Sequence, residues 1–255
     1  MVFNIDFTGK AAISTGAASG MGLLFAQCFA ESGGNVLMCD VNEEVLQEKV
    51  NEINQKGNGR AVGIVCDVRD YAQVCAARDR AVAEFGRIDV VCNFAGGTAV
   101  RVCKAKATYF PDVPIEIYDW GLDVNMRAQL YFGHAVMKQM CAQESGIIVN
   151  IGSITGAEAD GLGVEYATAK SGVMHGLTKA LAQCGAPHNV RCVCVSPGPV
   201  LTRSSMASMK TLAGRAADPQ EIVDLCLFLA SPRGQFINGE NIMIDGGREG
   251  MQRIG

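Results

Sequence analysis

The chain has no run of basic residues and no stretch approaching the ~18 unbroken apolar residues that would span a bilayer. With a formal net charge of −4, the first absence argues against nucleic acid or an anionic membrane as a partner. The N-terminal segment MVFNIDFTGK also lacks a signal-peptide pattern. Histidine is scarce: His134, His175 and His188 lie far apart with no metal-ligand spacing, so they read as structural and no metal is expected. No C-x-x-C pair occurs among the 11 cysteines. Cys39, Cys66, Cys92, Cys192 and Cys194 instead fall in or beside apolar runs, as free buried thiols in a reducing cytoplasm would.

What is present is an alternation of short apolar runs with helical patterns. Runs at 10–15, 35–40, 61–66, 88–93, 147–151, 190–196 and 241–245 read as strands, with helical stretches between them. The clearest helices run from Met21 to Phe29, to about Lys56, to Phe85, over roughly 115–142, from Tyr166 onward and from Pro219 to Ala230. Repeated βαβ units predict a parallel sheet with helices on both faces. No linker or repeat interrupts the series. The expectation is one α/β domain over 1–255, a Rossmann-type doubly wound sheet of about seven strands.

The first turn, Thr15-Gly-Ala-Ala-Ser-Gly-Met-Gly22, places glycines at 16, 20 and 22 between a strand and a helix. That position lets backbone N–H groups approach a pyrophosphate at the helix N-terminus. Asp40 ends the second strand, where its carboxylate can accept from both ribose hydroxyls of an adenosine and repel a 2′-phosphate. No cation follows it closely or sits within the glycine turn, which points to NAD rather than NADP. Asp40 can equally cap the helix beginning near Asn42. Asp67, after the third strand, can lie at an adenine edge or act as a cap.

Ser153 follows the fifth strand, and Tyr166 and Lys170 are i and i+4 on one helix face. A hydroxyl, a phenol and an ammonium can thus meet near one point. Proton transfer to or from an alcohol oxygen needs such a set, because a neighbouring ammonium favours the phenolate of an otherwise weakly acidic tyrosine. Tyr-x-x-x-Lys alone is common on amphipathic helices, and its meaning here comes from what precedes it.

Taken in order, the Thr15–Gly22 turn, Asp67-Val68, Asn93-Phe94-Ala95-Gly96, Asn125, Ser153, Tyr166/Lys170, Pro197-Gly198 with Thr202, and Asp245-Gly-Gly247 resemble the short-chain dehydrogenase/reductase family over essentially the full length. The resemblance implies an NAD(P)-dependent oxidoreductase with Ser153, Tyr166, Lys170 and Asn125 as its active centre. Asn125 would hold a water linking the lysine to solvent. It also implies that Gly16, Ser19, Gly20, Met21, Gly22, Asp40, Asp67, Val68, Asn93, Ala95, Gly96, Pro197, Gly198, Val200 and Thr202, with Tyr166 and Lys170, hold the cofactor. Members commonly pair the helices at about 115–142 and 166–185 in a dimer, and many form tetramers.

Two features depart from the family pattern. Phe94 stands where a second Asn is usual, which affects a loop under the nicotinamide or is simply packing. The connection from Gly96 to Asn125 is long, whereas the loop after Pro197-Gly198 is short. The stretches 96–124 and 198–217 should lie on the substrate side. Tyr109, Phe110 and Trp120 would then replace part of a lid, or else belong to a solvated insertion.

Small residues across Gly156–Gly163 leave room beside Tyr166, and Glu158 and Asp160 either meet a polar substrate or are solvated. A roomy, largely apolar site would suit a bulky alicyclic or hydroxysteroid-like alcohol or its ketone. The rival readings are a 3-oxoacyl-carrier-protein reductase-like enzyme, against which Asp40 argues, and a non-catalytic NAD-binding protein. Leu130, Phe132, Val136, Met137, Met140, Met174, Leu177 and Leu181 supply apolar surface on more than one helix face. That surplus is covered within the chain or meets another copy in a homodimer or homotetramer.

Overall fold

Short runs of Val, Ile, Ala and Cys form seven strands, and the computed structural model describes residues 5–56 and 58–251. The ends of the 1–255 domain span, and the first residues of the segment inspected for a signal, lie outside the described residues. The chain runs β1 (Ala11–Thr15), α1 (Gly20–Glu31), β2 (Asn35–Asp40), α2 (Glu43–Lys56), β3 (Ala61–Val65), α3 (Tyr71–Phe85) and β4 (Val90–Asn93). It continues through α4 (Ala99–Val102), α5 (Ile115–Leu122), α6 (Ala128–Ala142), β5 (Gly146–Ile151), α7 (Thr155–Glu158), α8 (Val164–Gly172) and α9 (Thr178–Gly185). Then come β6 (Val190–Pro197), α10 (Pro219–Ala230) and β7 (Asn241–Ile244).

The strands form one parallel sheet in the order β3-β2-β1-β4-β5-β6-β7. This is a single-domain Rossmann-type fold. Strand alternation divides the core between the two faces. Ala12, Val36, Met38, Val149 and Val193 pack with Phe25, Phe29 and Ile222 of α1 and α10. Ile13, Leu37, Val91 and Ile148 pack with Val74 of α3 and Phe132 and Val136 of α6. Because β1, β4 and β5 are almost entirely buried, they read in sequence as runs of mostly apolar residues.

Two helices contain a turn that periodicity does not reveal. The long helix read at 115–142 is present, but a π-helical turn at Asp123–Arg127 joins α5 to α6. A second π turn, Val173–Leu177, joins α8 to α9. An added residue per turn re-aims the side chains in it, and such turns cluster at functional sites.

All 11 cysteines are free, and the five placed in or beside strand-like runs are buried. No helix among the described residues is long and apolar enough to cross a membrane. Phe132, Val136, Met140 and Met174, offered above as surplus apolar surface, are core residues, whereas Leu130 is 45% exposed.

Candidate active site

The chain changes direction across the sheet between β1 and β4, so the loops leaving their carboxyl ends splay apart and open a crevice. The glycine turn forms one wall. Gly16 has φ 63°, and a Cβ on it would sit 3.1 Å from the Ala95 Cα. A Cβ on Gly22 would meet the Gly16 carbonyl oxygen at 2.5 Å. Only glycine permits this closeness of strand, turn and helix. Thr15 Oγ1 accepts the Ala95 N–H at 3.0 Å, tying the two strand ends together.

Asp40 accepts the Ala18 N–H through Oδ2 at 3.0 Å and the Asn42 N–H through Oδ1 at 3.0 Å. It therefore shapes the glycine turn. The capping role at α2 falls to Asn42, whose Oδ1 accepts the Val45 N–H at 3.2 Å. Asp67 is not the cap of α3 either. Asp70 is, accepting the Ala72 N–H at 2.8 Å, while Asp67 pairs with the Arg69 guanidinium.

A cavity of about 490 Å³ beside the turn is lined by Gly16, Ser19, Gly20, Met21, Gly22 and Asp40. Ala95, Gly96, Tyr166, Lys170 and, from the loop after β6, Thr202 line it as well, together with Phe94, Arg101 and Arg203. An adjoining cavity of about 480 Å³ is lined by Ser153, Tyr166, Pro197, Gly198, Val200 and Thr202, among others. Asp67, Val68 and Asn93, read as cofactor contacts, line neither. Val68 is buried in the core on the α3 face. Asn93 Nδ2 donates to Asn150 Oδ1 at 3.0 Å, so its side chain is turned into the sheet.

Tyr166 is half-buried and lines both cavities. Burial raises its phenol above the ordinary value, while a hydrogen bond with Ser153 and the charges of Arg203 and Arg101 pull it down. Lys170 Nζ lies 5.5 Å from the Tyr166 ring centroid and donates to the Ile151 carbonyl at 2.7 Å. Burial lowers its pKa to about 8.

Asn125 sits in the π turn, fully buried. Its Oδ1 accepts the Gly97 N–H at 2.9 Å, and its Nδ2 donates to the carbonyls of Gly97 and Gly121 at 2.9 and 2.8 Å. A Cβ on Gly96 would lie 2.6 Å from Asn125 Oδ1 and 3.7 Å from Lys170 Nζ, so these two residues meet across Gly96. Gln129 reinforces the corner by accepting the Ile151 N–H and donating to the carbonyls of Ile151 and Asn125.

The two departures resolve differently. Phe94 packs against Phe25, ring centroids 5.7 Å apart, and also lines the glycine-turn cavity beside Ala95 and Gly96, so it does both. In the long connection, Tyr109 and Phe110 are exposed, while Trp120 packs against the α3 and α6 face with Arg69 Cζ 5.9 Å from its ring. None of the three lines the cavities. The connection contributes Thr98 and Arg101 instead, and the loop after β6 contributes Arg203, Met206 and Met209. Glu158 is paired with Arg248, whereas Asp160 does line the cavity. Its neighbour Ala159 has φ 64° and ψ 170°, a sparsely populated conformation for a residue with a Cβ.

Arg101 and Arg203 were not singled out from the sequence. The available signal was positional: both lie in loops after strand carboxyl ends, and Arg203 directly follows Thr202. Glu165 was also missed. It is buried beside Tyr166, and its Oε1 accepts the Ala99 N–H at 3.0 Å.

A family profile described as enoyl-(acyl carrier protein) reductase matches residues 16–249. The D-threitol dehydrogenase of Mycolicibacterium smegmatis is 34% identical over 255 residues, covering 96% of this chain and 95% of that protein. A 7alpha-hydroxysteroid dehydrogenase of Bacteroides fragilis is 30% identical over 258 residues, covering 94% of this chain and 95% of that protein. A crystal structure of an NAD+-bound xylitol dehydrogenase superposes with a TM-score of 0.85 at 27% identity, covering 94% of this chain and 99% of that one. The ordered motifs, the sheet topology and these full-length similarities lead to one conclusion: the chain belongs to the short-chain dehydrogenase/reductase family of oxidoreductases.

Proposed function

We propose that the protein is an NAD-dependent dehydrogenase interconverting a secondary alcohol and a ketone, with Ser153, Tyr166, Lys170 and Asn125 as its active centre. The observation that carries this reading is Tyr166 itself. It lines both the glycine-turn cavity and the adjoining cavity that Ser153 also lines, with Lys170 one helical turn away and its Nζ 5.5 Å from the Tyr166 ring centroid. The residues present fit the cofactor, because the glycines leave a cradle that a Cβ would fill and Asp40 lines the same cavity. Bound nicotinamide supplies or accepts the hydride.

In this reading Tyr166 takes the alcohol proton in oxidation and returns it in reduction. Ser153 hydrogen-bonds the reacting oxygen as its charge changes. Lys170 favours the phenolate and orients the nicotinamide ribose. Asn125 clamps the Gly97 backbone beside Lys170. A water in a proton path would then share the Asn125 backbone carbonyl with Gln129 Nε2, since the Asn125 side chain is committed elsewhere.

The substrate-side loops 96–124 and 198–217 serve this site through Thr98, Arg101, Arg203, Met206 and Met209. The cavity volume suits an alicyclic alcohol, but its apolar walls carry charged groups. A carrier-protein reductase is the second reading, and Asp40 argues against its usual NADPH. Asp40→Ala is expected to weaken NAD binding roughly tenfold or more and to relax discrimination against NADP. Cofactor titrations of both proteins check this, and a wild type already preferring NADP would refute it.

The protein is further proposed to assemble as a homodimer or homotetramer through the α5–α6 and α8–α9 faces. Light scattering at micromolar concentration should show an oligomer that Leu130→Glu weakens, and a wild-type monomer would end this proposal. Met174 is unsuitable for that test, because a charge there would strike the core.

A further inference from the structure

Arg101 and Arg203 approach the Tyr166 corner from two different elements. Arg101 is carried on α4, which is fixed to the Tyr166 helix by the Glu165–Ala99 hydrogen bond. Arg203 leaves the loop after β6, whose course is set by Thr202 N–H donating to the Val200 carbonyl at 2.7 Å and Met206 N–H donating to the Arg203 carbonyl at 3.1 Å. Both side chains line both cavities.

Neither guanidinium has a carboxylate within ion-pair distance among the described residues. The contact of Arg203 is a weak one, Nη2 to Met206 Sδ at 3.7 Å. By contrast Arg60, Arg69, Arg87, Arg127, Arg215 and Arg248 each hold a carboxylate. Both side chains are exposed, so solvent screens part of their mutual repulsion, but partial desolvation together with Arg203 still disfavours the Arg101 cation. An anion between them would relieve both costs.

The remaining charged group lining the substrate-side cavity is Asp160, whose Oδ1 accepts the Leu162 N–H at 2.9 Å. Two cations against one carboxylate leave that wall positive, in a chain of net charge −4. A cleft of locally inverted sign concentrates anions.

We infer that Arg101 and Arg203 form an anion clamp selecting a secondary alcohol or ketone that carries a carboxylate. This rests on the hydride-transfer reading of the Tyr166 site. Planar guanidinium forks match carboxylate geometry, and two forks from separate elements fix both the position and the rotation of the bound acid. The cofactor pyrophosphate is the other oxyanion within reach. Its natural seat is the N-terminus of α1, at Gly20 to Gly22; the two arginines line that cavity too, but they share the adjoining one with Ser153, Asp160, Met206 and Met209, where Gly16, Gly20 and Gly22 do not reach.

The test uses ketone dead-end complexes, in which no hydride can pass. The protein saturated with NAD is titrated calorimetrically with 3- and 4-oxocyclohexanecarboxylate and with their methyl esters. Wild type, Arg101→Gln, Arg203→Gln and Arg203→Lys are compared, and NADH affinity is measured separately by fluorescence. At least one acid should bind wild type at least tenfold more tightly than its ester. Each Gln variant should lose roughly tenfold to hundredfold in acid affinity while holding NADH within about twofold. Arg203→Lys should recover only part of the loss.

Equal binding of acid and ester, binding of neither, or Gln variants indistinguishable from wild type would overturn the clamp. Variants that lose NADH affinity and treat acid and ester alike would assign the anion to the cofactor and also overturn it, leaving the hydride-transfer site intact. A wild type that binds no NADH would remove the proposed function, and the clamp with it.

Discussion

Tyr166→Phe should lower turnover by roughly 10²–10⁴ or more, about 3–5 kcal/mol of transition-state stabilisation, while leaving the fold intact. The ring sits half-buried on α8 with its edge on two cavities, so removing one oxygen costs little packing. What is lost is the proton carrier beside Ser153. Burial holds the wild-type phenol above its ordinary pKa, against the opposing pull of Ser153, Arg203 and Arg101. Alcohol oxidation needs the phenolate, so its rate should rise toward alkaline pH, whereas ketone reduction should not. Initial rates across pH in both directions check this, and a Tyr166→Phe enzyme with near-normal turnover would contradict it.

Lys170→Met should stabilise the protein while abolishing most of its activity. Lys170 is 2% exposed, and burial depresses its pKa to about 8 from an ordinary value of 10.5. Between those values the unfolded chain holds a proton that the folded chain has released, so stability rises with pH across that window. Below about pH 8 the full cost of the buried ammonium is present, on the order of 3 kcal/mol at ~1.4 kcal/mol per pKa unit. Methionine removes the charge and fills the space flexibly. The Ile151 carbonyl retains the Gln129 Nε2 donor at 3.1 Å, so no buried acceptor is orphaned. Thermal unfolding at neutral pH should rise by several degrees, and the gain should shrink as pH rises above about 8. A variant less stable than wild type at neutral pH would show that the ammonium is not under strain.

Much of this site was legible because its residues are tied to strand ends. Gly16, Gly20 and Gly22 could be read from their place between β1 and α1. Ser153 could be read from the end of β5, and the Tyr166–Lys170 pair from i, i+4 spacing. The seven mostly apolar runs lie within two residues of the strand ends on each side, because β-branched and apolar residues dominate strands packed in a parallel sheet. The roles left open in the sequence reflect competition between neighbouring groups. Asp40, Asn42, Asp67 and Asp70 are all capping candidates by type, and only the backbone geometry gives the caps to Asn42 and Asp70.

Asn125 was placed in a helix but not in a π turn, because the added residue leaves no mark on side-chain periodicity. Trp120 could equally have faced the cavity or α3, and which it does depends on the path of the long connection. The same path brings Arg101 to Tyr166, a non-local approach that no local pattern encodes.

The most direct test of the account is NAD reduction over a panel of secondary alcohols, with wild type and Tyr166→Phe assayed side by side. The account predicts NADH formation by wild type with at least one alcohol, little or none with NADP, and a loss of at least about a hundredfold in the variant. Turnover that depends on NADP, or that is equal in the two proteins, would contradict it.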